Sequence, residues 1–138
     1  MWKLVKTVIL PVQPKAMGRP RFSHGKAYTP RSSASYINEI LNNDYLDPLC
    51  ITDPVRLDIE YIFDRPQRLM RRKDSDSRIW KTTRPDIDNC NKMVMDLLTK
   101  SRTVIDDSQV VVLNSTKEYT SKTGKPYTKI KIFIWSKT

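Results

Sequence analysis

Asp86 and Asp88 stand two residues apart in RPDIDN, and Asp106 and Asp107 stand side by side in VIDDSQ. Carboxylates grouped this way can hold a hard divalent cation, and they are unexpected in this chain. Of its 138 residues, 25 are Lys or Arg and 15 are Asp or Glu, a net charge of +10. Such a balance points to an acidic polymer as partner, with nucleic acid the commonest one.

Each acid also has a structural explanation. Aspartate is a preferred helix N-cap, so Asp86 after Pro85 can satisfy free amides. Asp88 in the first turn complements the helix dipole and sits four residues before Lys92, and Asp96 extends the same ladder. Asp106 and Asp107 follow a short connection and precede a strand, where a turn residue is ordinary but two adjacent like charges are not required. A helix from Ile87 to Thr99 is about 20 Å long, so spacing alone does not bring the second acidic pair to the first.

The elements that must position these residues are legible from periodicity. Alternation predicts strands over 2–10, 55–63, 109–117 and 127–135, the third opening with a buried run, Val110 to Leu113. The Gly and Pro of TSKTGKP, 120–126, predict a hairpin between the last two strands. Helical spacing in TPRSSASYINEILNNDYL places Thr29 as N-cap and Pro30 at the first helical position. A second helix begins at Ile87, with Ile87, Cys90, Val94, Leu97 and Leu98 in one stripe. The order β-α-β-α-β-β predicts an α+β fold, a two-layer sandwich of a mixed sheet and two helices, in a single domain over 1–138.

Two segments read as loops, 11–28 and 64–84. Both are rich in cations: Lys15, Arg19, Arg21, Lys26 and Arg31 surround the first, and Arg65, Arg68, Arg71, Arg72, Lys73, Arg78, Lys81 and Arg84 fill the second. Because they flank the acids in sequence, Lys15, Arg19, Arg21, Arg71, Arg72, Lys73, Lys81 and Arg84 are candidate phosphate contacts. Phe22, Tyr28 and Trp80, in or beside these loops, suit either base stacking or packing.

Other classes are excluded or disfavoured. Cys50, Cys90 and the single His24 cannot assemble a disulfide framework or a Cys/His zinc site. No apolar run approaches the roughly 18 residues of a membrane span, and the first ten residues lack a cleavage signal. A soluble protein of a reducing, cytoplasmic compartment, with no small-molecule cofactor, is expected.

The ungapped run from Arg84 to Val111, RPDIDNCNKMVMDLLTKSRTVIDDSQVV, resembles the signature of RusA-type Holliday-junction resolvases, endodeoxyribonucleases of bacteria and their phages. The likeness lies in D-x-D-N, a Lys four residues after the second Asp, a later helical Asp and the D-D-S-Q-V block. Upstream, GRPRF and AYTP are also similar. The resemblance implies that Asp86, Asp88 and Asp107 bind metal and, with Lys92, catalyse. It further implies Mg²⁺, with Mn²⁺ as substitute, a homodimer, and a four-way DNA junction cut by paired symmetric nicks in recombination and repair. Asp106 is the weaker candidate for ligation. Cys90 stands where a larger aliphatic residue is common, and Ser101 to Val104 lacks the family's frequent Gly and aromatic residue. The alternatives are a non-catalytic basic nucleic-acid binder and a less selective nuclease of flaps or branched DNA.

Overall fold

The computed structural model describes residues 1–18, 21–28 and 30–137, and divides into two compact units. Thr29, the expected N-cap, and Arg19 lie outside the described residues, as do the side chains of Arg21 and Tyr28.

The first unit comprises Met1–Pro14, Asp53–Arg84 and Val110–Thr138. It holds a five-stranded mixed sheet made of β1 (Trp2–Leu10), β4 (Val55–Phe63), β5 (Ile79–Trp80), β6 (Val110–Tyr119) and β7 (Tyr127–Trp135). The second, Lys15–Thr52 and Pro85–Gln109, holds the hairpin β2 (Arg21–Ser23) and β3 (Lys26–Tyr28) and the helices α1 (Arg31–Asn42) and α2 (Ile87–Lys100). Two helices and a mixed sheet make an α+β protein, as the element order predicts.

The sheet order is β1-β7-β4-β6-β5. β4 is central because one face is continuously apolar: Val55, Leu57, Ile59, Tyr61 and Phe63 are all buried. It pairs antiparallel with β7 and parallel with β6. The expected β6–β7 hairpin is therefore not formed. The turn is real, with Gly124 N–H donating to Ser121 O at 3.1 Å. But 120–126 is long enough to step across one intervening strand, a span of about 10 Å, and β4, with two pairing edges, takes the middle. The Val110–Leu113 run is not fully buried either. Val111 is 61 % and Leu113 38 % exposed: side chains alternate across a strand and these two share one face of β6, which pairs with β5 only at Glu118 and Tyr119.

Segment 11–28 is not simply a loop. His24 and Gly25, with φ 51° and 76°, turn β2 into β3, and positive φ at both central positions is the hairpin geometry that matches strand twist. Segment 64–84 likewise contains a 3₁₀ turn at Gln67–Leu69 and β5.

In the helical unit, α1 starts at Arg31 with Pro30 as N-cap residue, one position later than expected. Ile37 and Ile40 of α1, and Cys90, Met93, Val94, Leu97 and Leu98 of α2, are buried. The Tyr36 phenol is pushed up to about 12, first by burial and then by Glu39 and by Cys90 of α2. α2 closes abruptly. Arg102 takes φ 59°, and Thr103 and Val104 N–H both turn back to Leu98 O, at 3.0 and 3.2 Å. That left-handed position normally favours glycine.

Leu57→Ala should cost about 3 kcal/mol in urea unfolding, whereas Val111→Ser should change stability by less than about 0.5 kcal/mol. Arg102→Gly should raise the unfolding midpoint, by about 1 kcal/mol, because it relieves the left-handed strain.

Candidate active site

Pro85 holds the approach to α2 extended, and Asp86 takes the N-cap position with φ −69° and ψ 144°. Its carbonyl accepts the Cys90 N–H at 3.2 Å, but its carboxylate makes no capping bond. Among the described residues the exposed Asp88 carboxylate accepts only the local Asn89 N–H, at 3.0 Å. Lys92 is exposed one turn further on. Among the described residues no ion pair joins it to Asp88 or Asp96; Asp96 pairs instead with Lys100 at 3.6 Å, beside the helix C-terminus. Among the described residues, then, Asp86 lacks the capping bond and Lys92 the ion pair that a purely structural role would give them, while Asp88 keeps its place in the first turn, at the positive end of the helix dipole.

The second acidic pair lies at a 3₁₀ turn, η2 (Asp107–Gln109), which packs against α2 within the helical unit. Asp106 has a structural task. Its Oδ1 accepts the Ser108 N–H at 3.0 Å, while its own N–H donates to Gln109 Oε1 at 2.8 Å. The Ser108 N–H, helped by the Ser108 hydroxyl, holds the Asp106 carboxyl below the usual carboxylate range. Gln109 in turn donates through Nε2 to Ile51 O at 2.9 Å, locking the turn to the strand-like segment at Ile51. Nothing in the spacing of the acids assigns Gln109 this task; the S-Q that follows them is its one sequence signal. Asp107 is exposed and makes no protein ion pair among the described residues.

The first cationic segment is tied to the same helix. Met17 N–H donates to Asn89 O at 3.0 Å, so Lys15, half-buried two residues earlier, belongs to a segment that runs against the first turn of α2. Gly18 N–H donates to Ser33 Oγ at 2.9 Å, and a Cβ at Gly18 would meet Pro30 Cγ at 2.9 Å, which explains the glycine of GRPRF.

The cations of 64–84, all in the sheet unit, divide sharply. Arg78 pairs with Glu60 at 2.8 Å and Glu118 at 3.2 Å. The Lys81 ammonium donates to Thr83 Oγ1 at 2.7 Å and Tyr119 OH at 3.3 Å, and lies over the Phe63 and Tyr119 rings. Burial raises the Tyr119 phenol, yet the Thr83 and Lys81 contacts outweigh it and leave the phenol below its usual value. Arg71 shares Asp74 at 3.2 Å. Arg65 is buried and bonded to carbonyls. Arg68, Arg72, Lys73 and Arg84 are exposed and, among the described residues, without ion-pair partners.

Oxygen-only donors with no basic partner among the described residues suit a hard cation such as Mg²⁺. Among the described residues, however, no three Asp, Glu, His or Cys side chains form a group that could hold a metal ion. Asp86, Asp88 and Asp107 are not gathered into one, although the carboxylates of Asp86 and Asp88 share one helical turn. A cavity of about 280 Å³ on the sheet, lined by Asp58, Glu60, Asn114, Lys129 and Lys131 among others, contains none of them. Its acids are already engaged, Asp58 by Arg56 and Asn114, and Glu60 by Arg78.

The profile of the family described as Endodeoxyribonuclease RusA matches residues 11–133. The chain belongs to this family. It is also similar to the crossover junction endodeoxyribonuclease rusA of Lactococcus phage r1t, 53 % identical over 38 residues, 28 % of this chain. The matched stretch spans 29 % of the phage protein's length. Both helices, the η2 turn and the sheet strands β4, β5 and β6 lie wholly inside the family match, with β1 outside it and β7 crossing its end. Among the described residues no helix is long and apolar enough to cross a membrane.

Asp106→Ala should lower the melting temperature at pH 7 by more than Asp106→Asn, which keeps an acceptor for Ser108 and loses only the charge. Because the folded-state value is depressed, the carboxylate's contribution is present above the unfolded value near 3.9 and fades as pH falls through the lower folded one. The gap between wild type and Asp106→Ala, followed by thermal unfolding from pH 7 to 2, should therefore narrow below about pH 4.

Proposed function

We propose that the chain is a Mg²⁺-dependent endodeoxyribonuclease that resolves four-way DNA junctions as a homodimer, making paired nicks in recombination and repair. The observation that carries this reading is the freedom of Asp86, Asp88 and Asp107 from any lysine or arginine among the described residues, in a chain of net charge +10, together with family membership. When bound, Mg²⁺ would supply a nucleophilic water at neutral pH and neutralise charge on the scissile phosphate; Mn²⁺ would substitute.

Asp86, Asp88 and Asp107 would hold the cation through carboxylate oxygens. Brought to about 4 Å without one, each pair would repel by roughly 4 kcal/mol at an effective dielectric of 20, which opposes gathering all three before the cation binds. Drawing them together around the ion and the phosphate is part of the proposal. Lys92, one turn beyond Asp88, has no ion-pair partner among the described residues and would offset negative charge on the phosphate in the transition state. Lys15, Arg72, Lys73 and Arg84 would hold the flanking phosphates, and the exposed rings of Phe22 and Trp80 offer stacking surfaces for unpaired bases. A two-fold dimer suits a junction, since its symmetry presents two sites to two opposed strands.

One observation favours a second reading, a basic nucleic-acid binder with structural acids: no three-acid group is formed among the described residues. A single gel separates the two. A synthetic immobile junction, linear duplex and a flap are incubated with the protein and Mg²⁺ or Mn²⁺; junction-selective cutting is expected, and tight binding without cutting under either metal would establish the binder. Equal cutting of the flap would mark a less selective nuclease. Asp88→Asn and Asp107→Asn should each reduce cleavage at least about a hundredfold. Their melting temperatures should be unchanged or higher, and Mg²⁺ should raise that of the wild type alone.

A further inference from the structure

Arg65 opens the cation-rich segment, yet it does not face solvent: it is 9 % exposed. A buried cation ordinarily has a carboxylate partner, but among the described residues this guanidinium meets only main-chain carbonyls. Nε donates to Leu69 O at 2.9 Å, Nη2 to Ser75 O at 2.7 Å, and Nη1 to Ser77 O at 3.1 Å and to Thr120 O at 3.5 Å. Two of these acceptors, Leu69 and Ser75, bracket the stretch that carries Arg71, Arg72 and Lys73. The third and fourth tie it to the approach to β5 and to the end of β6.

The bracketed turn is fixed from outside as well. Asp74 accepts both the Arg71 N–H and Nε, at 2.9 and 3.2 Å, and Lys122 Nζ donates to Arg71 O at 2.7 Å. What remains unsatisfied on this knuckle is its outer row: Arg68, Arg72 and Lys73, exposed and without ion pairs among the described residues.

We infer that Arg65 is a positioning residue for DNA, one that never touches a phosphate. Its planar fork sets the carbonyls of 69–77 in place, so Arg68, Arg72 and Lys73 meet the backbone from an already ordered turn rather than a chain that must be ordered on binding. Lysine cannot replace it, because one nitrogen cannot reach carbonyls that the guanidinium spans with three. The inference rests on DNA being the substrate.

The test uses the full chain and a synthetic four-way junction without divalent metal. Wild type should bind it, and its 68–73 peptide bonds should resist trypsin although the basic side chains are exposed. Arg65→Lys should speed cleavage there at least about tenfold. It should also weaken junction binding about tenfold and flatten the dependence of log K on log salt by about 0.9 for each phosphate that is no longer neutralised. In an Arg72→Gln/Lys73→Gln background, which leaves the clamp intact, Arg65→Lys should cost little further affinity. Undiminished affinity and salt slope in a folded Arg65→Lys protein, or full additivity in the triple variant, would overturn the inference. Should Arg65→Lys not fold, the wild type still decides: rapid tryptic cutting at 68–73 means the turn is not fixed. Failure of wild type to bind the junction would instead remove the DNA reading itself.

Discussion

A carboxylate that is to hold a metal ion must first be kept from the protein's own lysines and arginines, and in a chain carrying ten excess positive charges this is the harder half of the design. The chain meets it by giving other acids to the cations. Arg56 takes Asp58, Arg78 takes Glu60 and Glu118, Lys100 takes Asp96, and Lys122 takes Asp76. Exposed pairs of this kind contribute little stability, at most about 1 kcal/mol each. Their effect is better seen in what they leave alone: the N-terminal face of α2 and the η2 turn, where Asp86, Asp88 and Asp107 have no basic partner among the described residues.

The cations themselves hold three kinds of position. Some neutralise acids on the sheet. Others are held by the fold, Arg65 buried among carbonyls and the half-buried Lys81 against the Phe63 and Tyr119 rings, where the charge organises neighbouring backbone or hydroxyls. A third group, Arg68, Arg72, Lys73 and Arg84, stands outward without an ion-pair partner among the described residues. Net charge alone predicts the sign of a partner, but only burial and hydrogen bonding reveal which arginines remain available to it.

Much of this is legible from the residues. Alternation locates β1, β4 and β7 with their bounds, and the apolar stripe from Ile87 locates α2, because each signal is local to one element. The β6–β7 hairpin is not legible, because a turn signal specifies reversal and not the neighbour; which strand takes the centre depends on competition among all strands for β4. The open edge of β6 escapes for a related reason, since a run of valines reads alike whether its far edge is covered or bare. Arg65 reads as one more surface cation, as nothing local distinguishes a guanidinium that will meet carbonyls from one that will meet water. At the site, the types and spacing of the acids and their tie to a known family are visible in sequence. Their freedom from partners is not, since it depends on where every other cation ends up.

The sheet is assembled from chain segments far apart in sequence. β1 at residues 2–10 pairs with β7 at 127–135, placing Trp2 opposite Trp135 with their rings 5.4 Å apart, and β4 lies parallel to β6 although all of α2 separates them along the chain. Long loops must close before such pairings reward the chain, so the protein is expected to fold slowly for its size. During synthesis β1 emerges before its partner β7, and β4 before either of its neighbours, β6 and β7. Until β6 follows, β4 is an apolar strand with two bare edges, a species exposed to a chaperone or to a neighbouring nascent chain.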